Sequence, residues 1–596
     1  MLPVAIGQIR SKKGDYAENI RRLGATIAQV AGWDEHPDLV VFPEAITSGY
    51  FVEGGVRDVA VTAGTLFRDL SDMYSGSEGP PIDVVVGFYE EFRHHYFSSA
   101  IYASLGGVSP EIRHVHRKIF LPTYGVFDES RFVDPGHAVR AFDTAWGRAA
   151  IIICEDAWHS VIPTIAALDG AQLIIIPSAS PARGTVPEQE GGDHRPASAE
   201  RWYRIMKSIA EEHSVFVLSS QLVGFEGGKG FPGGSAVVSP SGDLIAEAPF
   251  FEETVLSTVI DLDEITSVRA DQSLLADLQT RLPHIVENLQ DRSQHRLEFD
   301  PEGDKAPTTE RAPGASHAIT PGLEQADPLA IDPELLTKWL TAFLSDEVSR
   351  RGFPKGIVAL SGGVDSSLTA YLAVRAFGKE NVIGLRLPYR TSSPHSMEHA
   401  ALVAEDLGIK LQTVDITNSV DGYLAALGSD VDSTRKGNVM ARMRMIALFD
   451  LSVAHGALPL GTGNKTERLM GYFTWHADDT PPVNPLGDLF KTQVWQLARH
   501  VGVPGAIVSK PATADLVKGQ TDEGDLGVSY EIADRVLHWL VRGLSPREVA
   551  ELGFDQNDVE LVHMRLESTH WKRRLPTVAM VSQTAIGEYY LRPVDY

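Results

Sequence analysis

Residues 355–374 read KGIVALSGGVDSSLTAYLAV, and this stretch decides the fold of the second half of the chain. The apolar run GIVAL leads into a Gly-Gly turn and then into apolar residues at helical spacing. A strand that turns through glycines into a helix is typical of a doubly wound parallel sheet, whose ligands lie at the carboxyl ends of the strands. Gly362 and Gly363 let the backbone approach a polyphosphate, and the free N–H groups of the helix start attract negative charge. The stretch therefore predicts a nucleotide site.

The side chains of this turn refine the prediction. The hydroxyl groups of Ser361, Ser366 and Ser367 can donate hydrogen bonds to phosphate, whereas Asp365 repels phosphate unless a metal ion intervenes. Asp365 is therefore a candidate magnesium ligand. No lysine follows the glycines, so the stretch is not a GxxxxGK[ST] loop. A ligand-free Gly-Gly turn capped by Asp and Ser has the same turn chemistry, but the order of strand, glycines and helix favours the nucleotide.

Two blocks of alternating strand-like and helix-like segments flank a proline-rich stretch that runs from about Phe299 to about Asp332. After the turn, NVIGLRLP, HAALVAEDLG and LQTVDI continue the parallel alternation. In the first block, runs such as LVVFPE, IDVVVGFY and AQLIIIPS alternate with helical segments, which predicts a sandwich of sheets with helices outside. We expect an α/β protein with domains at residues 1–285 and 331–596, joined by a linker at 286–330.

Composition excludes several classes of protein. The 596 residues carry a net charge of −26, which repels nucleic acid and anionic membranes and argues against a tRNA-modifying binder. The single cysteine, Cys154, excludes an intramolecular disulfide framework and a multi-cysteine zinc site. No apolar run reaches the roughly 18 residues that a membrane span needs. We expect a cytoplasmic enzyme with small-molecule substrates and neither nucleic acid nor membrane as a partner.

The second block resembles a known family. SGGVDS alone is similar to the pyrophosphate loop of the ATP pyrophosphatases and leaves GMP, asparagine and argininosuccinate synthetases and tRNA thiolases open. Five further segments resemble NAD synthetases and stand in the order of that family: GLRLPYRTSS at 384–393, KGNVMARMRM at 436–445, GTGNKTERLMGYFT at 461–474, NPLGDLFKTQVWQLA at 484–498 and KPATADLVKGQTDEGDLG at 510–527.

This resemblance implies roles for particular residues. It places ATP on the turn and on three further side chains: Ser361, Gly362, Gly363, Val364, Asp365, Ser366, Ser367, Thr462, Lys491 and Lys510. It places nicotinic acid adenine dinucleotide on Asn438, Glu467 and, through the HWKRRLP segment that resembles the family's HKR, on Lys572. Asp365 and Glu467 can share magnesium. Because the reaction gathers negative charge on phosphates, Lys465 and Arg444 are additional candidate cations.

In the first block, Cys154 ends the apolar run AAIIIC. A cysteine is only a few per cent thiolate at neutral pH, so attack on an amide needs a nearby base and a cation for the developing oxyanion. Glu44 ends LVVFPE and Lys118 lies in HRKIFLPTYGVFDES, so both can reach one rim of the sheets. The alternative is a buried, inert cysteine.

The motifs FPE, RKxFLPxYxxFxE and CED resemble the nitrilase superfamily, which implies a four-layered αββα sandwich. The resemblance makes Glu44 the base, Lys118 the oxyanion partner and Cys154 the nucleophile, with Glu129 as an additional glutamate. Tyr124, in LPTYGVF, matches a residue that holds glutamine. Ser180, in SASP, matches another.

The combination of both blocks resembles glutamine-dependent NAD synthetases, which implies conversion of nicotinic acid adenine dinucleotide, ATP and glutamine to NAD, AMP, pyrophosphate and glutamate, with magnesium and in a homo-oligomer. Two segments depart from the pattern: SASP continues with Arg183 and no GK lysine, and LVGFEGGKGFPGGS resembles general amidases. Two alternatives stay open: an ammonia-dependent ligase with a degenerate first domain, and an amidase domain acting on another amide. HVH at 114–116 and DEGDLG at 522–527 receive no role.

Overall fold

The computed structural model describes residues 1–52, 55–75, 80–124, 127–185, 194–271, 273–295, 327–428, 431–513 and 521–573. The chain forms two compact units, one built on Met1–Gly184 and Arg195–Arg311 and the other mainly on Ala312–Ala579. Among the described residues, no helix is both long enough and apolar enough to cross a bilayer.

The first unit contains two mixed six-stranded sheets, ordered β14-β1-β2-β3-β4-β5 and β13-β12-β9-β8-β7-β6. Its elements in chain order are β1 (Leu2–Gln8), α1 (Tyr16–Ala31), β2 (Leu39–Val41), α2 (Val56–Val59), α3 (Ala63–Ser75), β3 (Ile82–Phe92), β4 (His95–Leu105), β5 (Glu111–Arg117), β6 (Ala141–Asp143), β7 (Arg148–Ile151), α4 (Val161–Leu168), β8 (Leu173–Ser178), α5 (Ala197–His213), β9 (Phe216–Gln221), β10 (Val223–Glu226), β11 (Lys229–Pro232), β12 (Ala236–Val238), β13 (Leu244–Glu247), β14 (Thr254–Ile260), α6 (Glu264–Asp271) and α7 (Leu274–His295).

The sheets of this unit pack face to face with helices outside. Strands β1 and β3 contact β9 and β8 of the other sheet, while α1 and α3 cover one outer face and α4 and α5 the other. In the central strands β2 and β8, which are rich in valine and isoleucine, side chains on both faces are buried, as expected for strands that lie between two layers. This is the four-layered αββα sandwich that the resemblance to the nitrilase superfamily implied, and it confirms the predicted sandwich of sheets with helices outside.

The second unit is a four-stranded parallel sheet, ordered β17-β16-β15-β18. Its elements are α8 (Pro333–Arg350), β15 (Gly356–Ala359), α9 (Val364–Phe377), β16 (Val382–Arg386), α10 (Pro394–Leu407), β17 (Lys410–Thr413), α11 (Thr417–Ala426), α12 (Ser433–His455), β18 (Leu458–Pro459), α13 (Lys465–Leu469), α14 (Lys491–Val501), α15 (Gly505–Val508), α16 (Asp522–Leu526), α17 (Tyr530–Leu540), α18 (Pro546–Glu551) and α19 (Gln556–Ser568).

Both faces of the parallel sheet are covered. Val358 packs with Leu368 of α9 in one core, and its neighbour Ile357 packs with Met440 of α12 in another. Successive strand residues thus point into separate helical layers, which is the arrangement of a doubly wound sheet. The predicted fold of this block is confirmed.

Local boundaries differ from the sequence expectation in three places. Strand β2 ends at Val41 and β7 at Ile151, so Glu44 and Cys154 lie in the turns that follow rather than at strand ends. The left-handed backbone of Ala45 (φ 50°) and Cys154 (φ 45°) is incompatible with continued strand. Helix α7 continues to His295, into the predicted linker, most of which lies outside the described residues, and the domain boundaries stay a prediction.

Candidate functional site

A buried lysine stands between two glutamates in the first unit. The Nζ atom of Lys118, directly after β5, donates to Glu44 Oε1 and to Glu129 Oε1, both at 2.8 Å. The Lys118 side chain is 0% exposed, and those of Glu44 and Glu129 are 1% and 9% exposed. The structure therefore brings together three of the four predicted catalytic residues in a centre that water barely reaches.

The turn that carries Glu44 fits here because its neighbour on β3 is a glycine. A Cβ atom at Gly87 would lie 2.4 Å from the carbonyl oxygen of Pro43 and 2.6 Å from the Glu44 Cα. Only a residue without a side chain allows that approach. Glu44 Oε2 also accepts from the backbone N–H of Ala179 at 3.1 Å, which ties the turn to the end of β8.

Cys154 adjoins this lysine centre and is 8% exposed. Its φ of 45° is a conformation that L residues rarely adopt, and such strain persists only where surrounding structure enforces it. Burial, and then the charge of Glu44, raise the pKa of the Cys154 thiol, while Lys118, Ser178 and the Ala179 backbone oppose that shift. The thiol is thus neutral at rest, so a base must take its proton during attack.

The charges of the centre are mutually dependent. Burial would lower the pKa of Lys118, but Glu129 and Glu44 outweigh it and hold the ammonium group charged. Burial, reinforced by Glu44, raises the pKa of Glu129 to about 7, although Lys118 opposes the shift. The Tyr50 hydroxyl also donates to Glu129. A fixed cation with two carboxylates can stabilise an oxyanion and move a proton.

The two residues matched to glutamine binding lie in different surroundings. Tyr124 is 57% exposed, and its hydroxyl donates to Glu155 Oε2 at 2.9 Å, next to Cys154 in the chain. Ser180 lines a small cavity with Trp202 and Gln221. The structure places Tyr124 beside the cysteine turn, and the role of both residues stays a prediction.

The second unit holds a cavity of about 340 Å³ at the carboxyl ends of its parallel strands. Nine of the predicted nucleotide and dinucleotide residues line it, together with the candidate cation Arg444: Ser361, Gly363, Val364, Asp365, Ser366, Thr462, Glu467, Lys491 and Lys510. Gly362 has φ of 74°, and a Cβ there would lie 2.2 Å from the Ser396 carbonyl oxygen, so the turn requires glycine.

A second buried lysine stands between carboxylates at this cavity. The Nζ atom of Lys491 donates to Asp365 Oδ2 at 2.6 Å and to Glu467 Oε1 at 3.4 Å. Asn464 holds both partners, because its Nδ2 donates to Asp365 at 2.9 Å and its Oδ1 accepts from the Glu467 N–H at 3.0 Å. Burial, reinforced by Asp365, raises the pKa of Glu467 to about 8, although Lys491 opposes the shift.

These carboxylates fit a magnesium ion. The carboxyl groups of Asp365, Glu467 and the nearby Asp522 all act on the Lys491 ammonium group, so carboxyl groups outnumber this ammonium group. The described residues form no cluster of three or more ligands that would cage a metal unaided. Magnesium usually takes one or two carboxylates and completes its shell with water and substrate phosphates, which suits this pair.

Sequence reasoning missed two buried aspartates behind the second lysine. Asp522, in the unassigned acidic segment, accepts from the hydroxyls of Tyr472 and Tyr530, both at 3.1 Å. Asp534 accepts from Thr466 Oγ1 at 2.5 Å and from the N–H of Thr492 at 2.8 Å. The signal for Asp522 was its place in the segment 510–527, which resembles NAD synthetases, and Asp534 lies outside every segment quoted from the sequence.

Five predicted cations or contacts lie away from the cavity wall. Two of them belong to the turn itself: Gly362, and Ser367, whose hydroxyl donates to the Gly363 carbonyl oxygen at 2.8 Å. In the described part of the chain, Asn438 and Lys572 do not line the cavity. Lys572 Nζ donates to the carbonyl oxygens of Gly471 (2.9 Å) and Phe473 (3.1 Å), so it orders the loop that borders the cavity. Lys465 pairs with the exposed Asp488 at 2.8 Å.

Comparison with known proteins agrees with both halves. Residues 3–270 match the carbon-nitrogen hydrolase family and residues 336–576 match the NAD synthase family. The glutamine-dependent NAD(+) synthetase of Thermotoga maritima is 31% identical over 100% of this chain and 98% of its own. The NH(3)-dependent NAD(+) synthetase of Trichlorobacter lovleyi is 45% identical over 45% of this chain and 98% of its own.

Solved structures show the same fold over the whole length. The glutamine-dependent NAD+ synthetase from Acinetobacter baumannii, in complex with adenosine diphosphate, matches with a TM-score of 0.68 at 22% identity, covering 100% of this chain and 98% of that one. At this identity the match concerns the fold alone.

Proposed function

Because the chain belongs to the glutamine-dependent NAD synthetases, we propose that it makes NAD from nicotinic acid adenine dinucleotide, ATP and glutamine, releasing AMP, pyrophosphate and glutamate. The first unit is a glutaminase and the second an amide ligase. One observation carries the proposal: Lys118, held by Glu44 and Glu129 beside the strained Cys154, stands in the same chain as a nucleotide cavity.

The glutaminase reaction follows from the first lysine centre. As the Cys154 sulfur attacks the amide carbon of glutamine, Glu44 takes the thiol proton and Lys118 stabilises the oxyanion. The carbon–nitrogen bond then breaks, Glu44 returns the proton to the leaving nitrogen, and ammonia departs from a glutamyl thioester. Glu44 next activates water, which hydrolyses the thioester to glutamate and restores the thiol. Glu129 keeps Lys118 in place throughout.

The ligase reaction belongs to the second cavity. A carboxylate cannot exchange oxide for ammonia directly, so a nicotinate oxygen attacks the α-phosphorus of ATP, and pyrophosphate leaves. Ammonia then attacks the acyl carbon, loses a proton, and displaces AMP. Lys491 and Lys510 neutralise the phosphates, and the N–H groups at the start of α9 receive the pyrophosphate. Magnesium, held by Asp365 and Glu467, would neutralise further phosphate charge.

Three finer statements belong to the same proposal. Asn438, Glu467 and Lys572 serve the dinucleotide, and Tyr124 with Ser180 serves glutamine. The protein works in a reducing compartment, in keeping with its one cysteine. It is at least a homodimer, as closed symmetric assemblies are common among soluble enzymes.

A test compares nitrogen donors. The wild-type chain should form NAD and release pyrophosphate with either glutamine or ammonium. Cys154→Ala should form NAD from ammonium at an unchanged rate and lose glutamine-dependent synthesis by at least about 10³-fold, since the thiol is the nucleophile. Loss of both activities would show that the thiol has another role.

The open alternatives give different results in the same assay. A degenerate first domain predicts no glutamate release from glutamine. An amidase for another amide predicts NAD synthesis supported by that amide and little by glutamine.

A further inference from the structure

The carboxylate of Asp156 joins the two segments that carry the nucleophile and the cation. It is 0% exposed and lies two residues after Cys154. Its Oδ2 accepts from the backbone N–H of Ile153 at 3.1 Å and from His116 Nε2 at 3.0 Å. Its Oδ1 accepts from the N–H groups of Ile119 (3.0 Å) and Phe120 (2.9 Å).

The donors of these four hydrogen bonds lie close to Lys118 and Cys154 in the sequence. His116, Ile119 and Phe120 bracket Lys118, and Ile153 directly precedes Cys154. The Asp156 N–H also donates to the Ile153 carbonyl oxygen at 2.9 Å, which closes the turn on itself. One carboxylate therefore holds the end of β5 against the turn in which Cys154 adopts its strained φ of 45°.

His116 is the donor in its hydrogen bond with Asp156. His116 is buried, and within the described residues its Nδ1 has no hydrogen-bond partner. Nε2 must carry the proton that it gives to Asp156, because a carboxylate only accepts. This buried pair gives a role to the second histidine of HVH, which the amidase chemistry left unused.

We propose that Asp156, oriented by His116, is a positioning residue for the glutaminase reaction: it fixes the distance between the Cys154 sulfur and the Lys118 ammonium. Neither residue touches the reacting atoms. The inference rests on the proposed glutaminase role of Cys154. Its physical reason is that a displacement of about 1 Å in a catalytic constellation costs roughly 10²-fold in rate.

Asp156→Asn tests the carboxylate. Asparagine keeps the size and one acceptor oxygen but turns an NH₂ group toward the Ile153 N–H, which then has no acceptor. We expect the kcat for glutamine hydrolysis to fall about 10²-fold while the KM changes less than about twofold. The rate of alkylation of Cys154 by iodoacetamide should fall and its pH dependence should shift, because the sulfur has moved relative to Lys118.

Two histidine variants separate positioning from folding. His116→Gln places an amide N–H near the position of Nε2 and should retain kcat within about threefold, whereas His116→Leu lacks the donor and should lose about tenfold. Equal losses in both variants would overturn the role of the Nε2 donor. The matched control is Asp134→Asn, which makes the same exchange in an exposed pair with His95, where the side chains are 53% and 64% exposed. It should leave kcat unchanged.

The readouts distinguish three outcomes. Urea unfolding gives the folded fraction of each variant, so a kcat per folded chain that equals the wild-type value in Asp156→Asn would overturn the proposal even if less protein folds. A lower kcat per folded chain with normal ammonium-dependent synthesis supports it. If the wild-type chain released no ammonia from glutamine, the proposed function would fail, and the alkylation rates would still decide whether Asp156 positions the sulfur.

Discussion

Lys118 and Lys491 are both buried ammonium groups held by two carboxylates, but their surroundings differ. Lys118 lies 2.8 Å from each of Glu44 and Glu129, whose side chains are 1% and 9% exposed. Lys491 lies 2.6 Å from Asp365 and 3.4 Å from Glu467, whose side chains are 17% and 18% exposed at the wall of a 340 Å³ cavity.

In the proposed function, this difference in exposure follows from the charge of the substrate group that each site binds. An amide group is neutral, so the first lysine can remain paired while it stabilises a small oxyanion in a nearly closed space. A polyphosphate is strongly anionic, so the second lysine must be able to exchange a carboxylate partner for phosphate. Partial exposure lowers the cost of that exchange, because water can solvate the released carboxylate. In the proposed function, the same trio of charges serves a closed site for acyl transfer and an open site for phosphate chemistry.

Replacing either lysine by methionine should have the largest effect on activity. Lys118→Met should lower glutamate release about 10³-fold and spare ammonium-dependent synthesis, and Lys491→Met should do the reverse. Lys118→Met leaves two buried carboxylates without their cation, so the free energy of unfolding should fall by about 3–5 kcal/mol. Lys491→Met should cost less, because its partners are 17% and 18% exposed. Glutamate release, NAD formation and urea unfolding measure these effects.

Each variant serves as the control for the other, because the untouched activity reports that the chain has folded. If either substitution abolished both activities in a chain that still unfolds cooperatively, the two lysines would not belong to separate reactions.

The pKa of about 7 for Glu129 makes a second difference measurable. Only the ionised carboxylate accepts fully from both Lys118 and Tyr50, so glutamine hydrolysis should fall as pH drops through about 7. Glu129→Gln should remove that inflection and lower the rate about 10²-fold at pH 8. A pH–rate profile of glutamate release checks this, and an unchanged inflection in the variant would assign it to another group.

The stability of the first unit should fall as pH rises through this range, whereas the rate of glutamine hydrolysis should rise. The folded state raises the pKa of Glu129 from 4.5 to about 7, so it favours the neutral acid. The contribution of this group to stability is therefore full below about pH 4.5 and is lost as pH rises through about 7. Glu129→Gln should flatten that part of the stability profile in denaturant unfolding.

Glu44, Cys154 and Asp365 were predictable because each follows an apolar run, and the ends of neighbouring strands meet at one edge of a sheet. Lys118, Glu467 and Lys491 were predictable from the motifs in which they stand. Glu44, Lys118 and Cys154 came from separate motifs, and the structure brings them together. In the second block, Asp365, Glu467 and Lys491 also came from separate motifs, and the structure brings them together. Their roles in catalysis and binding stay predictions.

The supporting carboxylates were not predictable for a physical reason. Asp156 follows Glu155 in a short helical turn and Asp534 precedes Arg535 in α17, and an acid beside another charged residue is ordinarily solvated. Asp156 accepts from the N–H of Ile119, 37 residues away, and Asp534 accepts from Thr466, 68 residues away, and sequence spacing reveals neither contact. The turns at Glu44 and Cys154 were also misplaced, since a left-handed backbone in a residue other than glycine has no compositional signal.

Asp534 supports the second lysine and should have an intermediate effect. Thr466 Oγ1 donates to Asp534 and accepts from the Lys491 N–H at 3.0 Å, so the aspartate sets the start of α14. Burial raises the pKa of Asp534 from 3.8 to about 6. Protonation removes acceptor capacity, so ammonium-dependent synthesis should fall about tenfold as pH drops below 6.

Asp534→Asn should hold the synthesis rate near its low-pH value throughout that window. The group's contribution to stability is full below about pH 3.8 and is lost as pH rises through about 6, so activity and stability should move in opposite directions. Asp488→Asn, whose side chain is 94% exposed, is the matched control and should keep the wild-type pH profile of NAD formation.

The smallest expected effect concerns the open edge of the otherwise closed first site. Tyr124→Phe removes the hydroxyl that donates to Glu155 at 2.9 Å, in a side chain that is 57% exposed. One net hydrogen bond at such a position is worth about 1 kcal/mol, so the KM for glutamine should rise about fivefold while the kcat stays within about twofold. Tyr423→Phe, at a tyrosine that is 48% exposed in the second unit, makes the same exchange and should leave both constants unchanged. A fall in kcat instead of a rise in KM would place Tyr124 at the reacting atoms. The exposed edge of the first site would then take part in the chemical step and not only in glutamine binding.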